Sequence, residues 1–192
     1  TFDAGPKPVR ALALLLLLLV AIPALARPAA AAPATPFGFE QVAEQARKLA
    51  EKNYEDPRGS VPRWLLEISY DQWRDIRFRP EQSLWRDAKL PFSLQFFHAG
   101  LFYDRVVRLN MIQNGAAEEI KFSPEQFDYG KNEFASRIPH DLGYAGFRLH
   151  YPIKTPTYHD EVIVFLGASY FRAVGRDEGF GISARGLAID TA

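Results

Sequence analysis

Four histidines, His98, His140, His150 and His159, are the first residues to weigh as chemistry, because a neutral imidazole is a ready metal ligand. None pair at the spacing of four that would bring two ligands onto one helix face, no HExxH run occurs, and the chain has no cysteine. They read as structural strand and loop residues, so no metal and no other cofactor is expected. Hydrolysis of a glycosidic bond would need two carboxyl groups across a cleft, one to protonate the leaving oxygen and one to activate water or attack. Asp160-Glu161 and Glu118-Glu119 are adjacent pairs, but neighbours along a strand point to opposite faces, so neither pair is a facing dyad by itself. Asp71 and Asp75 could share a helical face. All six read as surface carboxylates. No GxSxG elbow, phosphate loop or GxGxxG run occurs, which leaves nucleophilic-serine and nucleotide chemistry without support.

The aromatic supply is more suggestive. Tyr129, Tyr144, Tyr151, Tyr158, Tyr170 and Phe171 stand among Arg137, Arg148, Arg172 and Arg185 in the second half of the chain. Aromatic faces cover the apolar faces of sugar rings, while guanidinium and carboxylate groups bond the hydroxyls. The same residues also build the core of an ordinary sandwich, and composition leaves both readings open.

The elements that must hold these groups divide into two kinds. From Phe37 to Lys52 the apolar residues Phe39, Val42, Ala43, Ala46, Leu49 and Ala50 recur at intervals of three and four, which predicts an amphipathic helix packing one face on a sheet. Pro57, Gly59 and Pro62 end that pattern, and Ile68 to Trp85 reads as turns and short helical pieces. From Phe92 the period changes to two. Phe92 to Phe97 reads as a strand that His98-Ala99-Gly100 turns into Leu101 to Tyr103. Val106 to Ile112 and Glu119 to Phe122 read as strands paired across a type I′ turn at Asn114-Gly115. Phe147 to Tyr151, Glu161 to Leu166, Tyr170 to Val174 and Ile182 to Ile189 complete the strands. This pattern predicts a mainly β fold, a sandwich or a large twisted antiparallel sheet.

Upstream of the helix lies an export signal. Lys7 and Arg10 precede an apolar run from Ala11 to Ile22, Pro23 breaks it, and Ala24-Leu25-Ala26 offers a cleavage site. That run is twelve residues long, where roughly 20 are needed to cross a bilayer. Residues 1–32 therefore read as a secretory signal with its small-residue cleavage region, and no stable membrane insertion is expected. The chain carries 23 basic and 23 acidic residues, and those beyond 32 carry 20 and 22, so no basic surface for nucleic acid is expected. Thr1 in place of an initiator Met, and the apolar run that closes on Ile189-Asp190-Thr191-Ala192, both read as cut ends.

Particular residues carry a resemblance. Leu166 to Arg172 (LGASYFR) and Ile182 to Ala192 (ISARGLAIDTA), with Phe39 to Leu49, Pro91 to His98 (PFSLQFFH), Ile120 to Pro124 (IKFSP) and Asp141 to Phe147 (DLGYAGF), resemble the periplasmic glucan biosynthesis protein G family of Gram-negative bacteria. The chain is also similar to the sister protein D of that pathway, which usually carries a twin-arginine signal. No Arg-Arg pair precedes the apolar run here, which favours the G type.

The resemblance implies a periplasmic protein needed to make osmoregulated glucans with a β-1,2-linked glucose backbone. It further implies a large antiparallel β-sandwich of galactose mutarotase type with an N-terminal helix. Residues 37–192 would form the N-terminal part of that domain, without its later strands and without the family's immunoglobulin-like C-terminal domain. Some relatives resemble β-1,2-glucanases or transglycosidases that use an acidic pair. Those acids would lie beyond residue 192, so no residue here inherits a catalytic role and the chain by itself would be inactive. The alternative is a non-catalytic glucan-binding or carrier protein that receives the polymer from the inner-membrane synthesis machinery. Tyr170, Arg172 and Arg185 are the candidate substrate-binding residues, chosen by residue type.

Overall fold

A computed structural model describes residues 37–167 and 170–179, and the backbone of 183–185. The expected export signal over 1–32 lies outside the described residues, as does the expected strand beyond residue 185. Among the described residues no helix is long and apolar enough to cross a membrane.

The first helix, α1 (Phe39–Ala50), is stabilised from within. Gln41 Oε1 accepts the Gly38 N–H at 2.7 Å, Glu40 stands at the positive end of the helix dipole, and Arg47 and Lys48 stand at the negative end. Its expected packing on a sheet is not found: Phe39 is 80 % exposed, Leu49 69 %, and no residue of α1 is buried. The periodicity shows that one face is apolar without saying what covers it, and among the described residues nothing does. A backbone hydrogen bond of 2.5 Å from Phe37 N–H to Gly115 O ties the start of the helix to a hairpin turn.

Two short helices follow. In α2 (Arg63–Leu66), Leu65 is fully buried, and its carbonyl accepts the Leu101 N–H at 2.9 Å. α3 (Tyr70–Asp75) starts with a reciprocal cap: Ser69 Oγ accepts from Gln72 N–H at 3.2 Å and Gln72 Oε1 accepts from Ser69 N–H at 2.9 Å.

All strand pairing is antiparallel. β1 (Arg77–Phe78) pairs with β5 (Phe127–Asp128), and β3 (Asn110–Gln113) pairs with β4 (Ala116–Glu119). The main sheet has five strands in the order β2-β6-β7-β8-β9: Ser93–His98, Tyr144–Thr155, Tyr158–Leu166, Tyr170–Ala173 and Ser183–Arg185. The fold is therefore mainly antiparallel β with an N-terminal helix, as expected. Asn114 and Gly115 have φ of 52° and 77°, the pair of positive values that a type I′ turn needs, although β3 is shorter than the expected Val106 to Ile112 and β4 lies next to the turn, sharing only Glu119 with the expected Glu119 to Phe122.

One expected pairing fails. β2 does not fold back on Leu101 to Tyr103; those residues make only a tight turn in which Gly100 and Tyr103 exchange hydrogen bonds of 3.0 Å. The Leu101 N–H is taken by Leu65 O, and the partner of β2 is the distant β6.

The core gathers where α2, β1, β5 and the loops meet one face of β2 and β6. Phe96 stacks on Tyr144 with centroids 4.3 Å apart, and Phe78 meets Phe127 edge-on at 5.3 Å. His98 belongs to this core. Its Nδ1 lies 2.5 Å from Ala99 O, an acceptor only, so Nδ1 carries the proton and Nε2 accepts from the Tyr129 hydroxyl at 3.2 Å. Burial holds the imidazole neutral, lowering its pKa to about 4 against the pull of the Ala99 carbonyl.

The unfolded chain takes up this proton near pH 6.5 and the folded chain only near 4, so stability is full above 6.5 and falls as pH drops through that window. Denaturant titrations should show a loss of about 3 kcal/mol from this group by the bottom of the window. His98→Asn keeps a donor near the Nδ1 position but cannot titrate, and should flatten that part of the curve. An unchanged slope in the variant would assign the acid sensitivity elsewhere.

Candidate functional site

Cross-strand neighbours in an antiparallel sheet share a face. The register therefore places Gln95, Arg148, Val164 and Arg172 in one row and Phe97, Gly146, Leu166 and Tyr170 in the next, on one side of the sheet. Glu161 joins them through an irregularity. Leu149 pairs with Ile163 but His150 pairs with Glu161, so Val162 is an extra residue, a bulge. Without it Glu161 would share the face of Ile163; with it Glu161 is turned toward the arginines.

There it forms a triad. Arg148 Nη1 lies 3.5 Å from Glu161 Oε2, and Arg172 forms an ion pair with Glu161 Oε1. The Arg148 guanidinium also lies 5.4 Å from the centroid of the Phe97 ring, a cation–π distance.

Glu161 and Arg172, with Phe97, Val164, Leu166 and Tyr170, floor a cleft of about 880 Å³ walled by α3 and the loop after β2. Trp73 and Tyr103 bring their rings to 5.5 Å, with Tyr70 and Phe102 nearby, and Asp104 pairs with Arg105 at 3.4 Å. Burial pushes the Tyr103 phenol up, with Tyr170 adding to the shift, so its hydroxyl is a neutral donor and acceptor at ordinary pH. The cleft thus offers aromatic faces beside fixed guanidinium donors. That combination suits a polyol with apolar ring faces.

Of the three candidates chosen by residue type, Tyr170 and Arg172 both line this cleft. Arg185 pairs with Tyr170 along the backbone, and its side chain lies outside the described residues. Trp73, Phe97, Tyr103 and Glu161 went unrecognised as site residues. Trp73 with Tyr70 three residues earlier on a capped turn was the available signal; the bulge that aims Glu161 has none.

The remaining aromatic supply disperses. Tyr129 and Tyr144 are core, Tyr151 pairs with Phe92 at 4.8 Å, and Phe171 stacks with Phe165 at 6.0 Å on the other face of the sheet. Arg137 covers the Trp64 ring at 4.2 Å.

The expected surface carboxylates need two corrections. Asp160 is only 8 % exposed, with Lys154 Nζ 3.9 Å from one oxygen, and Glu161 sits within the triad. Asp160 stands opposite Tyr151 on β7, a strand with neighbours on both sides, a placement that residue type could not show. Asp71 remains exposed and pairs with Arg74 at 3.1 Å, while Asp75 accepts the Lys131 N–H at 3.5 Å. The histidines do not meet: His98 is in the core, His150 is half-buried with its pKa lowered chiefly by burial, and His140 and His159 are exposed. Among the described residues no three metal-ligating side chains gather.

Fold and site together define a mainly antiparallel β protein with an aromatic, guanidinium-lined cleft. Residues 37–192 match the family model described as "Periplasmic glucan biosynthesis protein, MdoG", and the chain belongs to that family. It is 52 % identical over 164 residues to the glucans biosynthesis protein G of Ralstonia nicotianae, covering 85 % of this chain and 32 % of that protein. The protein of the same name from Rhodopseudomonas palustris is 48 % identical over 183 residues, covering 94 % of this chain and 36 % of the relative. The one from Pectobacterium carotovorum is 42 % identical over 162 residues, covering 84 % and 31 %. The chain spans about a third of the length of these relatives.

The triad carries a prediction of its own. Glu161→Gln leaves two part-buried guanidiniums facing a neutral amide, and should lower unfolding stability by about 1 to 2 kcal/mol, less than for a fully buried pair. An unchanged denaturation midpoint would show that the ion pairs add nothing to the fold.

Proposed function

We propose that this chain contributes a glucan-binding cleft to a protein of periplasmic glucan biosynthesis, with β-1,2-linked glucose polymer as its ligand. The observation that carries the reading is the cleft itself: Trp73, Tyr103 and Tyr170 beside Arg172 and Glu161 on one sheet face. Family membership and the names of the relatives support the pathway and the periplasm as compartment. In this reading residues 1–32 direct export, and residues 37–192 are the N-terminal part of a β-sandwich domain that receives polymer from the inner-membrane synthesis machinery. Tyr170, Arg172 and, on the neighbouring strand, Arg185 act as sugar contacts. Flat rings hold sugar faces, and the guanidiniums, fixed by Glu161, are spared the ordering cost of free side chains.

Cleavage or transglycosylation of the same polymer needs two carboxyl groups set across the bond, one of them free to give a proton. The described cleft brings only Glu161 and Asp104, each engaged by arginine. Binding is therefore the role we assign to these residues.

The complete protein, incubated with linear β-1,2-glucan, should bind it through this cleft. Trp73→Ala should weaken binding on the order of tenfold, as expected for loss of one stacking face. Unaltered affinity in the variant would place the polymer elsewhere.

A further inference from the structure

Trp73 and Tyr103 are half-buried, but each has an exposed aromatic neighbour that also lines the cleft: Tyr70 is 56 % exposed and Phe102 76 %. Tyr70 lies three residues before Trp73, on the same side of α3, and Phe102 adjoins Tyr103 in the turn after β2. α3 and the turn thus each supply one inner and one outer ring. Neither outer ring sits on a loose support. Gly100 and Tyr103 exchange backbone hydrogen bonds of 3.0 Å across Phe102, and the buried Leu65 accepts the Leu101 N–H at 2.9 Å. Leu101 has a φ of 52°, a left-handed conformation that leucine rarely takes and that these bonds hold in place. On α3, the Arg74 guanidinium lies 5.9 Å from the Tyr70 ring centroid, a cation–π distance, and is itself paired with Asp71 at 3.1 Å. An aromatic ring on a fixed backbone has little freedom left to lose when a ligand settles on it.

We infer that Tyr70 and Phe102 form an outer subsite, which takes the sugar units of a β-1,2-linked chain as it leaves the cleft; the inference rests on the glucan reading above. Two observations choose this occupant. The outer rings are continuous with the cleft that holds the inner pair, so one extended ligand meets both, and its second contact is made within a complex already formed. The charged lining is balanced, Asp104 and Glu161 against Arg105 and Arg172, and the nearby Arg74 is matched by Asp71. That balance favours an uncharged chain rich in hydroxyls over an anionic surface. The inner rings then set whether glucan binds, and the outer rings set how strongly the protein prefers a long chain to a short one.

The test measures the affinity of the complete protein for the β-1,2-linked glucose trisaccharide and for the linear polymer. The polymer should bind more tightly, and Phe102→Ala should weaken polymer binding about fivefold while leaving the trisaccharide unaffected. Phe102→Tyr keeps a flat ring and should behave as the parent does. Phe102 is exposed, so both variants should fold normally. No preference for the polymer in the parent, an equal loss for both ligands in Phe102→Ala, or no loss for either overturns the outer subsite while the glucan reading stands. Failure of the parent to bind either ligand overturns both. Self-association of the parent in sedimentation that Phe102→Ala abolishes, with polymer affinity intact, overturns the subsite in favour of a second copy of the protein on these rings.

Discussion

The site hangs on the close approach of β6 to β7 at Gly146. A Cβ at that position would lie 2.1 Å from Phe165 O and 2.9 Å from Leu166 Cα, both of them backbone atoms that cannot swing aside. Only glycine lets the two strands meet there. Gly146 is paired with Phe97 on one side and with Leu166 on the other, so it fixes β6 against both neighbours at once. Because side chains alternate with a period of two, a slip of one residue would send Arg148 to the core face and bring Phe147 into the cleft. The rows that line the cleft are consequences of that register.

Within this frame two irregularities do the aiming. One, between Phe97 and His98, lets His98 pair with Tyr144 while Phe97 stays beside Gly146. The other, at Val162, turns Glu161 toward Arg148 and Arg172. The second answers an electrostatic need. Two guanidiniums on one face, on the strands either side of β7, repel and lose hydration, and a carboxylate from β7 between them offsets both effects. The bulge gives up one regular ladder position to supply that carboxylate.

Elements whose signal is local were legible in the sequence. The Asn114-Gly115 turn announces itself because both residues tolerate positive φ, and α1 because its apolar spacing and terminal charges agree. The alternation of Phe147, Leu149 and Tyr151 likewise gave β6, and residue type brought Tyr170 and Arg172 to notice. What escaped was non-local. β2 pairs with the distant β6, the Leu101 N–H goes to Leu65 on another element, and Asp160 stands opposite Tyr151 of β6. Trp73 looked like part of a short helical turn; its position in the cleft comes from the packing of α3 against the loop that carries Tyr103.

His98 connects the two sides of the sheet. Phe97 lines the cleft, and the next residue, on the opposite face, is clamped by the Ala99 carbonyl and the Tyr129 hydroxyl among the rings of Phe122 and Phe127. A neutral imidazole suits that place because it donates once and accepts once, matching one carbonyl and one hydroxyl without bringing a charge into the core. A purely apolar side chain would leave both partners unsatisfied, and a permanently charged one would pay desolvation in full. The irregular end of β2 is thus pinned from the core side by hydrogen bonds as well as by packing. Phe97 can then face the cleft on its other side and still hold the orientation that the Arg148 guanidinium needs.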